Sequence, residues 1–478
     1  GLARPRGSDE GLGTQARGRR GAQGGEAERS QHGLRTDTLR PRSTHAEQRG
    51  AILGPGSARW RLVAIASLAV AVAAGSAWLG RARARGPARI VLVVVDTLRR
   101  DHLSPYGSKV ATPNVAALAA RGQVFENAVS SFHQTSMSMA AMFTGRTPSI
   151  ETGDPRQALP WNGSTWCGMA RFGSGEGDLC LPRSLPALAE RLREAGYWTI
   201  GVTSNQFLYE PSGFARGFDD WTQVDERKPA VGPASREDVP RPGRSRTWTS
   251  VNRAVDAALG RRPSDHFFLY VHYLDVHDYR FAKRSYAEAV AVMDEALGRL
   301  FGKLEKAHLL DGAVVVLTAD HGERLGEAHG IPGEVPNSFG HYGNPSWQEL
   351  LRIPLVVAPA VFADPRRFVR TQDLYALVQE IAGLSPGRAA DTRPDELFVG
   401  ELFFRTYRHG NWKATLRRSD GRAFLYDLEA DPHEQRDLAA SEPLRVHAFR
   451  TRLNELTRDL AAAPAAPRDL SEPEKERL

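Results

Sequence analysis

Two apolar runs in this chain each end on an acid. Val91 to Val95 is an unbroken aliphatic run that stops at Asp96, and AVVVLT (313–318) leads through Ala319 to Asp320 and His321. Each run is too short to cross a bilayer as a helix and reads as a strand buried on both faces. A carboxylate at the end of a buried strand is costly unless a cation neutralises it. In open α/β sheets, ligands collect beyond the carboxyl ends of the strands. Neighbouring strands would therefore bring Asp96, Asp320 and His321 round one point. Carboxylate and imidazole donors gathered in that way suit a divalent metal. Taken singly, each acid is also an ordinary residue for the start of a loop. A third run, HFFLYVHYL (266–274), runs on into Asp275 and His277 and adds an acid and a histidine to the same edge.

A nucleophile would come from another segment. SFHQTSMSMAAMFTGR (131–146) has a hydroxyl-rich start followed by an Ala/Met run, and reads as a loop entering a helix. Thr135 and Ser136 fall at the helix start. A hydroxyl there usually caps the helix. The same position also holds anions well and exposes a nucleophile to the helix dipole.

The elements needed to position these residues follow in order. TPNVAALAARG (112–122) reads as a helix stopped by Gly122, and VFENAVS (124–130) as a short strand. The helix 184–196 leads to a strand at 197–204. A helix at 251–260 precedes the strand 266–274, and the amphipathic helix 286–309 precedes the strand 313–318. RIPLVVA (352–358) is a further buried strand and 371–384 a further helix. Strands alternating with helices predict an α/β fold with a doubly wound, mostly parallel sheet. From about residue 400 the pattern changes to short antiparallel strands closed by a helix at 447–462. This predicts a smaller C-terminal α+β subdomain. The boundaries expected are a catalytic domain over 88–390 and the subdomain over 391–465.

Composition sets limits on the remainder. The chain has 478 residues and a formal net charge of +7, much of it from arginines near the N-terminus. Residues 1–60 hold few large apolar side chains and are expected to be a solvated basic tail. With aromatics nearly absent there, nucleic acid is not an expected partner. The chain opens on Gly1 and its first Met is Met137, so its start reads as processed, non-standard or wrongly assigned. Leu62 to Leu79 carries no charge and as a helix would span roughly 27 Å, enough to cross a bilayer core. It reads as a single transmembrane signal-anchor helix (61–80), with the catalytic domain outside the cytoplasm. A cleaved signal peptide and a buried globular helix are the alternatives. Flanking arginines on both sides leave the orientation open. The two cysteines, Cys167 and Cys180, form no CxxC pair. They either close one loop or remain free thiols. Residues 150–184, which carry both, read as an irregular insertion, and 222–247 as an exposed loop.

In their order and spacing, these segments resemble the sulfatase family of the alkaline phosphatase superfamily. The residues that carry the resemblance are VVVDTLRRDHLSPYG, TPNVAALAARGQVFENAVS, TSMSMAAMFTGRTPS, FLYVHYLDVHD, VVVLTADHGERLGEAHG and GHYGNPSWQELLRIPLVV. The resemblance implies an alkaline phosphatase-like fold. It also implies a metal held by Asp96, Asp320 and His321 with the nucleophile as a further ligand. The family's nucleophile lies nine residues before the Thr of TGR, which makes it Thr135 here. In-line attack on sulfur or phosphorus would give a covalent enzyme intermediate, with the metal lowering the hydroxyl's pKa. Arg99 and Arg146 would orient substrate oxygens, although Arg99 also reads as an ordinary salt-bridge residue.

The chain departs from the family pattern at informative places. Sulfatases that mature a formylglycine carry Cys or Ser within C/S-x-P-x-R. Here Thr135 stands at the nucleophile position, with Met137 and Met139 at the Pro and Arg positions. The family's double Asp is Asp96-Thr97, and its Asp-Asn pair is Asp320-His321. These changes resemble the phosphatase, phosphodiesterase and phosphoethanolamine-transferase branches, where a second metal is common. Asp275, His277 and His341 stand in the right chain order to hold it, and His277 and His341 equally suit catalysis or substrate binding. The expected cofactor is one or two divalent ions of Zn, Ca or Mn. The expected activity is hydrolysis of a sulfuric or phosphoric ester on a small molecule, glycan or lipid. The alternatives are a phosphoethanolamine- or phosphoglycerol-type transferase of the cell envelope, or a binding protein that kept the fold without catalysis.

Overall fold

The structure is a computed structural model that describes residues 86–148, 180–181, 183, 185–224, 247–329, 331, 339–341, 345–385, 393–401 and 403–461. The tail 1–60, the apolar run 62–79, most of the cysteine-bearing insertion and most of the 222–247 loop lie outside these residues. Among the described residues no helix is long and apolar enough to cross a membrane. Cys180 is buried and disulfide-bonded, so it is not a free thiol; Cys167 lies outside the described residues.

In chain order the strands are β1 (Arg89–Val95), β2 (Gln123–Val124), β3 (Ala128–Val129), β4 (Trp198–Thr203), β5 (Asp220–Gln223), β6 (Phe267–Tyr273), β7 (Ala313–Thr318), β8 (Arg324–Leu325), β9 (Phe339–Gly340), β10 (Leu355–Ala358), β11 (Val369–Arg370), β12 (Glu396–Gly400), β13 (Phe404–His409), β14 (Trp412–Arg417) and β15 (Ala423–Asp427). The helices are α1 (Pro113–Ala120), α2 (Thr135–Thr144), α3 (Leu188–Glu194), α4 (Thr247–Arg261), α5 (Tyr286–Lys306), α6 (Gln348–Leu351), α7 (Leu374–Ile381) and α8 (Pro443–Ala461).

The main sheet has seven strands in the order β2-β10-β7-β1-β6-β4-β5. β1 lies at its centre, parallel to both β6 and β7, and its apolar run is buried throughout. β4 and β5 continue the parallel set. β10 and β2 close the other edge as antiparallel strands, so the sheet is mixed rather than wholly parallel. A four-residue apolar strand such as β10 is buried equally well in either direction, so its direction cannot be read from composition. The single strand expected at 124–130 is split in two: β2 joins the main sheet, while β3 pairs with β11 in a separate ladder. The short polar strand β5 was not expected. It is an edge strand with no need for an apolar face.

α5 starts on a capping box, in which Ser285 accepts from the Glu288 N–H and Glu288 accepts from the Ser285 N–H. It packs against α1, and α4 covers β4 and β6. The antiparallel sheet β12–β15 and α8 enclose a smaller apolar cluster around Phe398, Tyr407 and Leu453. Trp347, at the start of α6, and Leu350 within it pack with Phe424 and Tyr426 of this sheet. The buried ion pair Lys413–Glu434 fastens the same junction, because Lys413 also donates to the Ser346 carbonyl and Glu434 accepts from the Gln348 N–H.

Candidate metal-centred active site

The β1–β7 register pairs Val94 with Thr318, and two more residues along the same register bring Asp320 beside Asp96. Both acids are fully buried. The Asp96 N–H continues the sheet by donating to the Tyr273 carbonyl at 2.9 Å. Thr97 then takes a left-handed φ of +57°, which a β-branched residue adopts only under strain. This turn aims the Thr97 N–H at Asp320 Oδ1, 3.1 Å away. Tyr286, at the start of α5, locks the turn: its hydroxyl donates to the Thr97 carbonyl at 2.6 Å and accepts from the Arg99 N–H at 2.8 Å.

Each carboxylate has one anchored oxygen and one left over. Asp96 Oδ2 accepts from Asn205 Nδ2 at 2.7 Å and lies 3.4 Å from His272 Nε2. Asp320 Oδ1 accepts from the Thr97 and His321 N–H groups. Asp96 Oδ1 and Asp320 Oδ2 are buried without a hydrogen-bond partner among the described residues. A bare anionic oxygen in such a place is strongly destabilising unless a cation meets it. Burial pushes the Asp96 carboxyl up, but the hydrogen bond from His272 and the charges of His277, His272 and His321 outweigh it. They hold the group well below the usual carboxylate range.

Thr135 is the first residue of α2, a helix buried along its whole length. The capping expectation fails, because Gln134 occupies the cap position and no side chain caps the helix. The Thr135 hydroxyl instead points into the site. Its Oγ1 stands 3.3 Å from Asp96 Oδ2 and 3.3 Å from His321 Nε2. Ser136 makes neither contact. One turn into the helix, the Ser138 hydroxyl donates to the Asp320 carbonyl at 2.6 Å and joins α2 to the end of β7. Gly322 permits the close approach behind His321, since a Cβ there would lie 1.9 Å from the Glu349 carbonyl oxygen.

The hydrogen bonds also assign the imidazole tautomers. His321 Nδ1 is 2.8 Å from the Gly322 carbonyl, which can only accept, so Nδ1 carries a proton and Nε2 is the nitrogen that faces the site. His341 Nδ1 likewise donates to Glu323 Oε2 at 3.1 Å. The His341 ring centroid lies 4.5 Å from that of His321 and 5.6 Å from that of His277. His133 donates to the His341 carbonyl at 2.7 Å, and burial pushes its own pKa down to about 3, so it is neutral. Burial, and then the charge of His321, also push His341 down. His277 differs: burial disfavours its charge, but the Asp278 hydrogen bond and the charges of Asp96 and Asp278 raise it to about 9.

Asp96, Asp320 and His321 each offer one ligand atom, and these atoms lie within 4.8 Å of one another. The two orphaned carboxylate oxygens and His321 Nε2 are donor atoms that suit a divalent cation, and Thr135 stands beside them. His341 and His277 flank this set but do not belong to it, and neither does Asp275. Arg146 was expected to orient substrate oxygens. It follows the helix-ending Gly145, whose φ is +71°, at the far end of α2. A ten-residue helix puts it roughly 15 Å from Thr135, and its charge is felt instead at Tyr375. Arg99 is bound to Asp101, Glu327 and the Glu323 carbonyl, and so braces the loop that carries Glu323. Asn205, His272 and Glu323 escaped the sequence reading. The available signal was a polar residue at or just past the end of a parallel strand, which describes both Asn205 and His272.

The main sheet, the strand-end acids and the helix-borne hydroxyl define an alkaline phosphatase-like α/β protein. Residues 88–361 match the family described as Sulfatase, and the chain belongs to that family. It is 25% identical over 341 residues to an arylsulfatase of Hemicentrotus pulcherrimus, covering 62% of this chain and 58% of that one. The chain thus spans little more than half the length of that relative. It is 23% identical over 480 residues to an N-acetylgalactosamine-6-O-sulfatase of Bacteroides thetaiotaomicron, covering 74% of this chain and 90% of the other. Among solved structures, the phosphonate monoester hydrolase of Agrobacterium radiobacter superposes with a TM-score of 0.54 at 16% identity. That match covers 80% of this chain and all of the other, and it bears on the fold alone.

Proposed function

We propose that the chain is a metal-dependent hydrolase of sulfuric or phosphoric esters that uses Thr135 as its nucleophile. The observation that carries this reading is the position of Thr135 Oγ1, 3.3 Å from both Asp96 Oδ2 and His321 Nε2, beside two orphaned carboxylate oxygens. Asp96, Asp320 and His321 would hold the cation. When bound, it would make the hydroxyl acidic enough to react and offset charge on the transferred group. The hydroxyl proton is directed at Asp96 Oδ2. The Thr135 oxygen forms the new bond to phosphorus or sulfur while the bond to the ester oxygen breaks and the alcohol departs. Water then cleaves the Thr135 adduct and restores the hydroxyl. His277 and His341 would handle the proton of the departing oxygen.

Thr135 weighs the choice towards phosphoric esters. Its β-carbon bears a methyl group, so oxidation would give a ketone and not the aldehyde of a formylglycine. The names of the sulfatase relatives make glycan and aryl sulfates the other class to test. The run 62–79 would tether the enzyme to a membrane with the active site outside the cytoplasm. The deciding assay gives the purified protein an aryl sulfate, an aryl phosphate and a bis-aryl phosphate, with Zn, Mn or Ca added after chelation. The reading requires metal-restored turnover and a transient adduct on Thr135. Failure of all three substrates, with no metal retained, would support a binding protein instead.

A further inference from the structure

The side chains of the site differ in how far they reach solvent. Those of His321 and His341 are 0% and 5% exposed, whereas that of His277 is 31% exposed. Asp96 and Asp320 are fully buried and Thr135 nearly so. Among the described residues, the open side of the site therefore lies at His277, whose ring centroid is 5.6 Å from that of His341. An ester held at Thr135 would carry its alcohol portion out past His277.

The chain around His277 is helical. Val276 and Arg280 have right-handed helical backbone angles, and the N–H groups of Asp278 and Ala282 donate to the Leu274 and Asp278 carbonyls at 3.1 and 2.9 Å. His277 and Phe281 thus stand four residues apart on one helical turn. Side chains at that spacing share a face, with Cβ atoms roughly 5–6 Å apart. Val276, Tyr279 and Ala282 are buried on the inner face. A Schellman motif closes the turn: the Arg284 N–H donates to the Tyr279 carbonyl at 2.9 Å and the Lys283 N–H to the Arg280 carbonyl at 3.0 Å. Lys283 takes a left-handed φ of +53° where glycine is usual. Tyr279 packs edge-on against Tyr286, the residue that locks the Thr97 turn, with ring centroids 5.5 Å apart. The backbone of this turn is thus held along its length, yet Phe281 is 81% exposed.

A single exposed aromatic is ordinary on a protein surface. Phe281 differs because a braced turn holds it beside the open edge of the site, with Arg280 and Lys283 exposed near it. One ring among charged side chains is too little apolar surface to seat a bilayer. It does offer a flat face to another ring. We propose that Phe281 is a stacking platform for a ring in the alcohol portion of the substrate, which makes the substrates esters of aryl alcohols or sugars and not of acyclic headgroups. The proposal rests on the hydrolase reading above.

The test compares the wild type with Phe281→Ala and Phe281→Trp, each loaded with metal, on a nitrophenyl ester, a hexose 6-ester and an ethyl ester of one acid. Phe281 is exposed, so neither variant disturbs packing. Phe281→Ala should raise KM about three- to tenfold for the ring-bearing esters, and leave kcat and the KM of the ethyl ester unchanged. Phe281→Trp should keep the wild-type values. A rise for the nitrophenyl ester alone identifies an aryl substrate, and a rise that includes the hexose ester identifies a sugar. Calorimetry with phenylphosphonate and ethylphosphonate reads the same preference without turnover. A preference for the phenyl compound that Phe281→Ala loses would support the platform even if no ester turned over, a result that would fault the catalytic reading alone. Equal KM values for every ester in an active wild type and Phe281→Ala would overturn the platform and leave the hydrolase reading standing. Lost binding to phosphatidylglycerol vesicles in Phe281→Ala, with KM unmoved, would likewise overturn it and reassign the turn to a lipid surface.

Discussion

Asn205 donates its side-chain amide to Asp96 Oδ2 at 2.7 Å and thereby leaves Oδ1 as the Asp96 oxygen with nothing to bind. An outer residue thus decides which oxygen faces the proposed cation. Removing such a support typically costs about 10–100-fold in metal affinity. Asn205→Ala should show a loss of that size when the protein competes with a chelator, with unchanged far-UV circular dichroism. Asn205→Asp should be worse, since a second carboxylate would replace the donor and repel Asp96. Unchanged metal affinity in both variants would mean that Asp96 needs no partner.

Thr135 is expected to carry the transferred group. Thr135→Ala should lower kcat by about 10³-fold or more and abolish the mass-shifted peptide trapped during turnover. Thr135→Ser keeps the hydroxyl at the same place and should stay within about tenfold of the wild type. Thr135→Cys tests the formylglycine route. Met137 and Met139 stand where the maturation motif has Pro and Arg, so this variant should keep a thiol and show no aldehyde by mass spectrometry.

How much of this was legible in the sequence differs from residue to residue. Asp96, Asp320 and His321 were readable because an apolar strand that ends on an acid is a local signal, and parallel strands of one sheet share an edge. Thr135 needed the resemblance, since a hydroxyl at a helix start is ordinarily a cap; the structure gives the cap position to Gln134. Asn205, His272 and Glu323 act through partners more than a hundred residues away or across a loop, and no local pattern names those partners. The direction of β10 was hidden because burial is the same whichever way a short apolar strand runs.

Thr97 predicts the metal preference. It stands beside Asp96 where the family pattern has a second carboxylate, and its hydroxyl is turned away to the Asp96 carbonyl at 2.7 Å. Two carboxylates, an imidazole and a hydroxyl favour Zn or Mn over Ca, which prefers more oxygen ligands. Metal analysis of the purified protein should find Zn or Mn. Thr97→Asp adds a carboxylate, and Asp tolerates a left-handed backbone better than Thr does. That variant should gain at least about tenfold in Ca affinity relative to Zn in competitive titration. No change in preference would mean that position 97 lies out of reach of the ion.

The last prediction concerns what holds the C-terminal sheet closed. Glu396 on β12 is fully buried and accepts from Arg452 of α8 at 2.9 and 3.0 Å and from the Tyr407 hydroxyl at 2.6 Å. Burial alone would raise its carboxyl, but the Arg452 and Tyr407 hydrogen bonds and the Arg452 charge outweigh it and lower the pKa to about 2. In the unfolded chain the group returns to its ordinary 4.5. The folded state therefore binds the proton less readily, and stability must fall as the proton is forced on. The contribution is complete above pH 4.5, erodes as pH falls towards about 2, and is absent below that. Solvent reaching Arg452 screens the pair, so its size is on the order of 2 kcal/mol. Urea unfolding from pH 7 down to pH 3 should show the wild type losing stability that Glu396→Gln never had, so that the two curves converge in acid. Curves that stay parallel over that range would mean that the Glu396–Arg452 pair adds nothing to the hold of α8 on the sheet.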